Sequence, residues 1–464
     1  MKKTTRNLLQ LPLCTLLFTV LYSCTGAVDE SYTNVIPTDV AIMASVNVNG
    51  LLEKAGYKDF KPVNTAIEGM YAESLSPVPE VVNAILQDPG NSGVDFDAPF
   101  YIFQQPDGAS MGIVMRVGNK EKVEAWLQPI AQGMGTTSEH TIYMDDKSVC
   151  IYEKNGPSEW QLPATPEAQF NQSAAFAKMR DMKGDLRYCC STKGLMKKYM
   201  RGINFRQPLY TETSIVGACN FEKGSASLTA ALVANTPEAE TELAAFKKVL
   251  RPSDGKFTSY LPESATIAAS VCGKGAEYLN YLKLTPYLGG MLGGNYRFWK
   301  PMIEAIDGEA VIALTGMTDY GFSFVAYADL VPEVTEAQMK DILSQNSLDK
   351  SYWGIQDHRL YLTNDKTLSE NAFKDASPSF RKGEYGKQAD GKPVYLLMDI
   401  AKIMANPVLE QAAAQMGANG SLQAYSLLSG MEYELNGEYE LVMRVNLKDK
   451  KENVLKLVAD LLMK

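Results

Sequence analysis

Hydrophobic and polar residues alternate in short runs along much of the chain, and helical patterns and turn residues separate these runs. The pattern is clearest near the end, where alternating runs over 431–435 and 439–445 flank Asn436-Gly437. Alternation with a period of two is typical of a strand with one buried face. Asn-Gly between two such runs predicts a tight hairpin, and an amphipathic pattern over 450–462 predicts a closing helix.

The same order of elements occurs four times: a strand, a helix, an antiparallel hairpin and a second helix. The opening strands of the four units are predicted at 40–48, 186–190, 266–272 and 394–398. This order predicts an α+β fold, a tandem duplication with four β-α-β-β-α units of the split ferredoxin-like kind. Each unit leaves one sheet face to be covered by a neighbour, so we expect the antiparallel sheets to be arranged in two lobes.

The second half of the chain repeats the first weakly but in order. The stretch 35–46 parallels 260–271, and Pro37 and Pro262 within them are 225 residues apart. The stretch 139–143 parallels 357–361 with an offset of 218. Such similar offsets predict an internal repeat, with a first α+β repeat over 35–252 and a second over 253–464.

The N-terminus has the features of a bacterial export signal. Lys2, Lys3 and Arg6 precede an apolar run over 8–22, which is shorter than the roughly 20 residues of a membrane span. The run ends in Leu21-Tyr22-Ser23-Cys24, which has the form of a lipobox. These features predict a lipoprotein signal peptide over 1–23 and a lipidated N-terminal tether over 24–34.

Cleavage before Cys24 would leave this cysteine as the site of lipid attachment, carrying diacylglycerol on sulfur and a further acyl chain such as palmitate. More than one chain gives stable anchoring. The sequence therefore predicts a protein of the bacterial cell envelope, lipid-anchored to a membrane and facing either the periplasm or the cell surface. Ordinary signal cleavage near Ala27, with loss of Cys24, is the alternative.

Two further motifs carry a family resemblance. The stretch 32–37 (YTNVIP) follows the lipobox, and the stretch 92–99 (SGVDFDAP) comes later in the first repeat. With these motifs the chain resembles an uncharacterised Bacteroidetes lipoprotein family, domain of unknown function 4836. The resemblance implies a cell-envelope location for nearly the whole mature chain, and it implies no activity, cofactor or catalytic residue.

Charge and cysteine content narrow the function classes. The formal net charge of −9 is spread along the chain, which argues against nucleic acid as a partner. Five cysteines follow Cys24, an odd number without the spacing of a zinc site, so neither a disulfide framework nor a structural zinc is expected. We expect no cofactor.

Short catalytic motifs occur, but their context does not fit. Gly108-Ala109-Ser110-Met111-Gly112 matches G-x-S-x-G. A nucleophile elbow needs a strand, a turn and then a helix, whereas this motif falls in a predicted hairpin. Trp160, in the Pro-rich stretch 155–166, is expected to be an exposed aromatic.

The two histidines of the chain are the sharpest candidates for chemistry. His140 follows Glu139, and His358 follows Asp357. If the repeat brought these residues together they could bind a metal ion or form a pH-sensitive contact. If each pair only marks the same hairpin in its own repeat, the coincidence follows from the duplication and no metal site exists.

Two functions of different classes follow from the sequence. The first is a non-catalytic envelope lipoprotein, a binding or scaffold module for envelope proteins or polymers. The second is an envelope hydrolase of unrecognised type that acts on glycans through paired carboxylates, which would need a concave site with two acids roughly 5–10 Å apart.

Overall fold

The computed structural model describes residues 29–56, 88–133, 140–194, 208–284, 296–318, 321–406 and 426–462. Cys24, Glu139 and the signal peptide predicted over 1–23 lie outside these ranges. The alternating pattern predicted many of the strands within a few residues of their bounds. The strands of the first half are β1 (Ile42–Val46), β2 (Phe100–Gln104), β3 (Met111–Arg116), β4 (His140–Met144), β5 (Ser148–Glu153), β6 (Leu186–Ser191), β7 (Thr213–Glu222) and β8 (Ser225–Ala234). Those of the second half are β9 (Ile267–Lys274), β10 (Ile306–Thr318), β11 (Gly321–Leu330), β12 (Tyr352–Gln356), β13 (Arg359–Thr363), β14 (Val394–Met398), β15 (Leu428–Leu435) and β16 (Leu441–Leu447).

The sixteen strands within the described ranges form one open sheet, and neighbours in it are antiparallel. The first half contributes the order β4-β5-β3-β2-β1-β6-β7-β8, and the second half continues as β16-β15-β14-β9-β10-β11-β13-β12. Each strand of the first set has its counterpart eight strands later, in the reverse spatial order. The two halves are therefore repeats related by a pseudo-two-fold axis, and they meet where β8 pairs with β16.

The predicted arrangement of four split ferredoxin-like units in two lobes differs from the observed sheet in two respects. Strands within each unit follow chain order, as in β1-β2-β3 and β6-β7-β8. A split arrangement would instead place two parallel strands side by side, so the split ferredoxin-like detail is not confirmed. The repeats also share one sheet rather than forming separate lobes, because β8 and β16 pair directly. The hairpins β4-β5 and β12-β13 add the outer strands at the two edges.

Helices cover both faces of the sheet. The helices are α1 (Val48–Lys54), α2 (Lys120–Gly133), α3 (Ala174–Asp181), α4 (Pro208–Thr211), α5 (Pro237–Lys247), α6 (Gly275–Leu284), α7 (Tyr296–Glu304), α8 (Glu336–Gln345), α9 (Lys366–Glu370), α10 (Ile400–Met404) and α11 (Val454–Leu462). Val114 packs in a core with Phe176 of α3, and its neighbour Met115 packs in another with Trp126 of α2. Consecutive strand residues point to opposite faces, so the first half buries both faces of its sheet.

The folded body begins earlier than the predicted end of the tether. Ser31–Val35 form a 3-10 helix, and Tyr32 within it is fully buried. Its hydroxyl donates to the carbonyl oxygen of Pro99 over 2.6 Å. The predicted boundary between residues 252 and 253 falls in the connection between β8 and β9, and it stays a prediction.

Candidate ligand site at the junction of the repeats

At the junction of the repeats, β8 and β16 pair over a short stretch, and β8 continues past the end of this pairing. Register runs from Ser225 opposite Asn446 to Ala230 opposite Leu441, where β16 begins. Strand β8 continues to Ala234, still paired with β7 on its other side. Residues 231–234 of β8 therefore extend beyond β16 and leave a notch in the sheet.

The loop between β15 and β16 borders this notch, and it differs from the prediction. The last pair of the hairpin is Leu435 with Leu441, so five residues form the loop instead of an Asn-Gly turn. The side chain of Asn436 accepts the N–H groups of Glu438 and Glu440, both over 2.9 Å. Asparagine side chains compete with backbone acceptors in this way, which explains the wider loop. Tyr439 takes the left-handed position, with φ of 61°.

A cavity of about 500 Å³ fills the notch; we call it the junction cavity. Its lining is mainly apolar and comes from both repeats. The lining residues are Lys178, Ile215, Ala230, Ala231, Leu232, Val233, Leu243, Phe246, Lys247, Leu435, Glu438, Tyr439, Glu440 and Leu441. Leu232 is 36% exposed and Leu441 is 42% exposed. A concave apolar surface of this size is typical of a ligand site.

Charged groups of both signs stand at the rim of the junction cavity. Lys178 Nζ lies 2.6 Å from Glu440 Oε1 and ties α3 of the first repeat to the loop of the second. Burial opposes ionisation of Glu440, but Lys178 and the Asn436 amide outweigh it and lower the pKa of this carboxyl. Lys247 Nζ lies 5.8 Å from the centre of the Tyr439 ring, within range of a cation–π contact.

The junction cavity was not singled out by the sequence. Its walls are ordinary strand and helix residues such as Leu232, Phe246 and Leu441, and nothing local distinguishes them from core residues. The only available signal is that the run of strand-forming residues in β8 is longer than that of β16. That difference becomes meaningful only when the pairing of β8 with β16 is known.

The two histidines do not come together. His140 is the first residue of β4, at one edge of the sheet, and His358 lies between β12 and β13 at the other edge. Strands in a sheet lie about 4.8 Å apart, and fourteen strands separate β4 from β12. The repeat makes β4 equivalent to β12, so the sequence parallel that aligned His140 with His358 is out of register by one strand. Asp357 pairs instead with Arg359, over 3.2 Å.

The G-x-S-x-G motif is a hairpin turn, as its context predicted. Ser110 is fully buried, and its hydroxyl donates to Asp107 Oδ2 over 2.7 Å. Burial opposes ionisation of Asp107, but backbone N–H groups of Ala109, Ser110 and Ser158 donate to it and hold its pKa well below the usual range. Strand β3 follows, where a nucleophile elbow would need a helix. This serine stabilises a turn.

A glycosidase requires paired carboxylates, and one cleft of the second repeat is lined by three acids. The cleft has a volume of about 270 Å³, and its acids are Glu263, Glu384 and Asp399. Asp399 caps α10 and lies 3.2 Å from Lys402 Nζ, and Glu384 pairs with Lys450. Two of the three carboxylates are thus engaged in ion pairs, which does not favour acid–base catalysis in this cleft.

Trp160 and the cysteines behave as packing residues. The Trp160 ring lies 5.7 Å from that of Tyr143, and its Nε1 donates to the carbonyl of Val35 over 3.1 Å, so the expectation of an exposed aromatic is wrong. Cys150, Cys189 and Cys272 are buried free thiols. Burial raises the pKa of Cys150 and Cys189 to about 12, so both are protonated and unreactive at neutral pH.

The described ranges contain neither a cluster of metal ligands nor a membrane-spanning helix. No group of three or more His, Cys, Asp or Glu side chains in these ranges could hold a metal ion. No helix in the same ranges is long and apolar enough to cross a membrane.

Comparison with known proteins gives a match to a protein family. A search of curated proteins and a search of solved structures found nothing similar. A family model matches residues 32–149 and 333–455, which together make up just over half of the chain. These stretches hold the first strands of the first repeat and the last strands of the second, including one wall of the junction cavity. The chain belongs to the family described as a domain of unknown function, DUF4836.

Proposed function

We propose that this protein is a non-catalytic binding protein of the bacterial cell envelope, and that the junction cavity receives an apolar part of its partner. The observation that carries the proposal is the pair Leu232 and Leu441, both more than a third exposed and both facing the junction cavity. Fully burying an exposed leucine side chain is worth roughly 1.5–3 kcal/mol. A partner that fills the cavity would bury only the exposed part of each leucine, which is worth about 1 kcal/mol per residue.

Replacing Leu441 with aspartate is expected to weaken binding of an apolar molecule to the junction cavity. The substitution removes apolar contact and places a carboxylate where the ligand would exclude water, so affinity should fall by about 10- to 100-fold. The measurement is a fluorescence titration of the purified protein with the neutral dye Nile red.

A matched control is available on another strand. Ile312 in β10 is 48% exposed and does not line the junction cavity. Ile312→Asp should bind the dye as the unaltered protein does, with circular dichroism confirming that both variants are folded. Equal affinities of the two variants would contradict the proposed site.

Lipid on Cys24 is the second part of the proposal, and the lipobox at 21–24 supports it. Cells grown with an alkyne analogue of palmitate are expected to incorporate the label into the protein. Cys24→Ala should abolish the label, whereas Cys14→Ala, which changes the other cysteine of the N-terminal region, should keep it. Label that persists in Cys24→Ala would exclude this anchor.

A further inference from the structure

The backbone of β8 can be oriented from two hydrogen bonds. Just before the strand, Gly224 accepts the N–H of Leu447 over 2.8 Å, on the side where β16 lies. Just after the strand, Asn235 donates to the carbonyl of Glu212 over 2.9 Å, on the side of β7. Backbone groups in a strand alternate between the two sides. Leu232 and Ala234 therefore direct their N–H and C=O groups toward the β16 side.

On that side, no strand in the described part of the chain pairs with the end of β8. Pairing with β16 stops at Ala230, and within the described ranges no backbone group bonds to Leu232 or Ala234 across the notch. Four residues of free edge measure about 13 Å. An unpaired edge of this kind is a template for another extended chain, and here residues 231–233 of the edge line the apolar junction cavity.

We propose that the part of the partner that enters the junction cavity is an extended polypeptide, which adds to residues 231–234 of β8 as a strand. This inference rests on the proposed function and names the chemistry of the partner. The added strand would pair with β8 just beyond the end of β16, and it would run antiparallel to β8 as β16 does. Its N–H and C=O groups would meet those of Leu232 and Ala234, and its alternate side chains would contact Leu232 and Leu441.

The polar groups at the notch favour a peptide over a hydrocarbon chain. A lipid tail could fill the apolar space, but it has no groups to satisfy the edge of β8. The rim carries Lys178, Lys247, Glu438 and Glu440, two of each sign. A mixed rim complements a peptide with polar side chains of both signs better than it complements an anionic lipid headgroup.

A capped peptide that copies Leu441–Val445 is a suitable probe, because this sequence already pairs with β8. Proline at position 234 would remove one edge N–H, and it should be tolerated because Ala234 ends the strand and that N–H is unpaired. Ala234→Pro should weaken peptide binding roughly three- to tenfold by calorimetry. Ala234→Val keeps the N–H and should bind as the unaltered protein does. Nile red should bind all three proteins equally.

The outcomes separate this inference from the proposed function. Weaker peptide binding in Ala234→Pro alone, with the dye unaffected, would support strand addition. If the dye binds but the peptide does not, or if proline and valine variants bind the peptide equally, strand addition is overturned and the cavity remains a binding site. If the unaltered protein binds neither probe, both proposals fail. Should Ala234→Pro not fold, the same peptide with alternate backbone nitrogens methylated provides the second test, because it keeps its side chains but loses N–H groups that would pair with β8. Equal binding of the methylated and unmethylated peptides would overturn strand addition.

Discussion

Phe257→Ala is expected to lower the free energy of unfolding by about 3–5 kcal/mol. Phe257 is fully buried in the core of the second repeat. Its ring stacks on Tyr327 with centroids 5.7 Å apart and lies 6.1 Å from Tyr260. Alanine would leave a cavity lined by large rings that cannot collapse around it. Urea unfolding followed by circular dichroism measures the loss.

Phe322→Ala is the matched control, because this phenylalanine of β11 is 57% exposed. Its removal should change the free energy of unfolding by less than about 0.5 kcal/mol.

The Phe257 variant also tests whether the two repeats unfold as one continuous sheet. Because β8 and β16 join the repeats, hydrogen exchange in urea should accelerate in strands of both halves. Acceleration confined to 267–447 would indicate two independent bodies.

Glu432→Ala is expected to lower the free energy of unfolding by about 1–3 kcal/mol. Glu432 is a buried residue of β15. Its carboxylate accepts the hydroxyl of Tyr395 over 2.9 Å and the amide of Asn446 over 2.7 Å, and Arg444 lies 3.5 Å away. Alanine would leave the buried Tyr395 hydroxyl without this acceptor and would remove one partner each from Asn446 and Arg444, which both reach solvent.

The chemistry of Tyr395 reinforces this expectation. Burial and the negative charge of Glu432 hold the pKa of Tyr395 well above its usual range, so the hydroxyl remains a donor at any physiological pH. Glu222, at the exposed end of β7, is the matched control, and Glu222→Ala should be nearly neutral. A Glu432 variant as stable as the Glu222 variant would show that the buried network adds nothing.

Much of the fold was predictable because it follows from local pattern. The strand predicted at 394–398 has the same bounds as β14. Threonine followed by proline is a local signal for the start of a helix, and at the start of α5 Thr236 accepts the N–H of Ala239. The parallel of Pro37 with Pro262 is confirmed, since each forms an isolated bridge just before β1 or β9. At these positions the local preferences of the residues agree with the structure that the repeat requires, and such agreement allows elements to be predicted from sequence.

The arrangement of the repeats was not predictable, because it depends on long-range pairing. Nothing local in 225–234 or 441–447 indicates that these strands face each other across the pseudo-two-fold axis. The side chain of Asn436 also accepts two backbone N–H groups, so a five-residue loop forms where the Asn-Gly pair predicted a two-residue turn. The notch and the junction cavity result from these two features together, so sequence reasoning missed the site.

Photolabelling with a small apolar diazirine, followed by mass spectrometry, tests most directly whether the junction of the repeats is the ligand site. The label is expected on peptides that contain Leu232, Phe246 and Leu441, the apolar walls of the junction cavity. Excess Nile red should displace it. Label found instead on Ile312 and Phe322, with the junction peptides unmodified, would show that the junction cavity is not the ligand site.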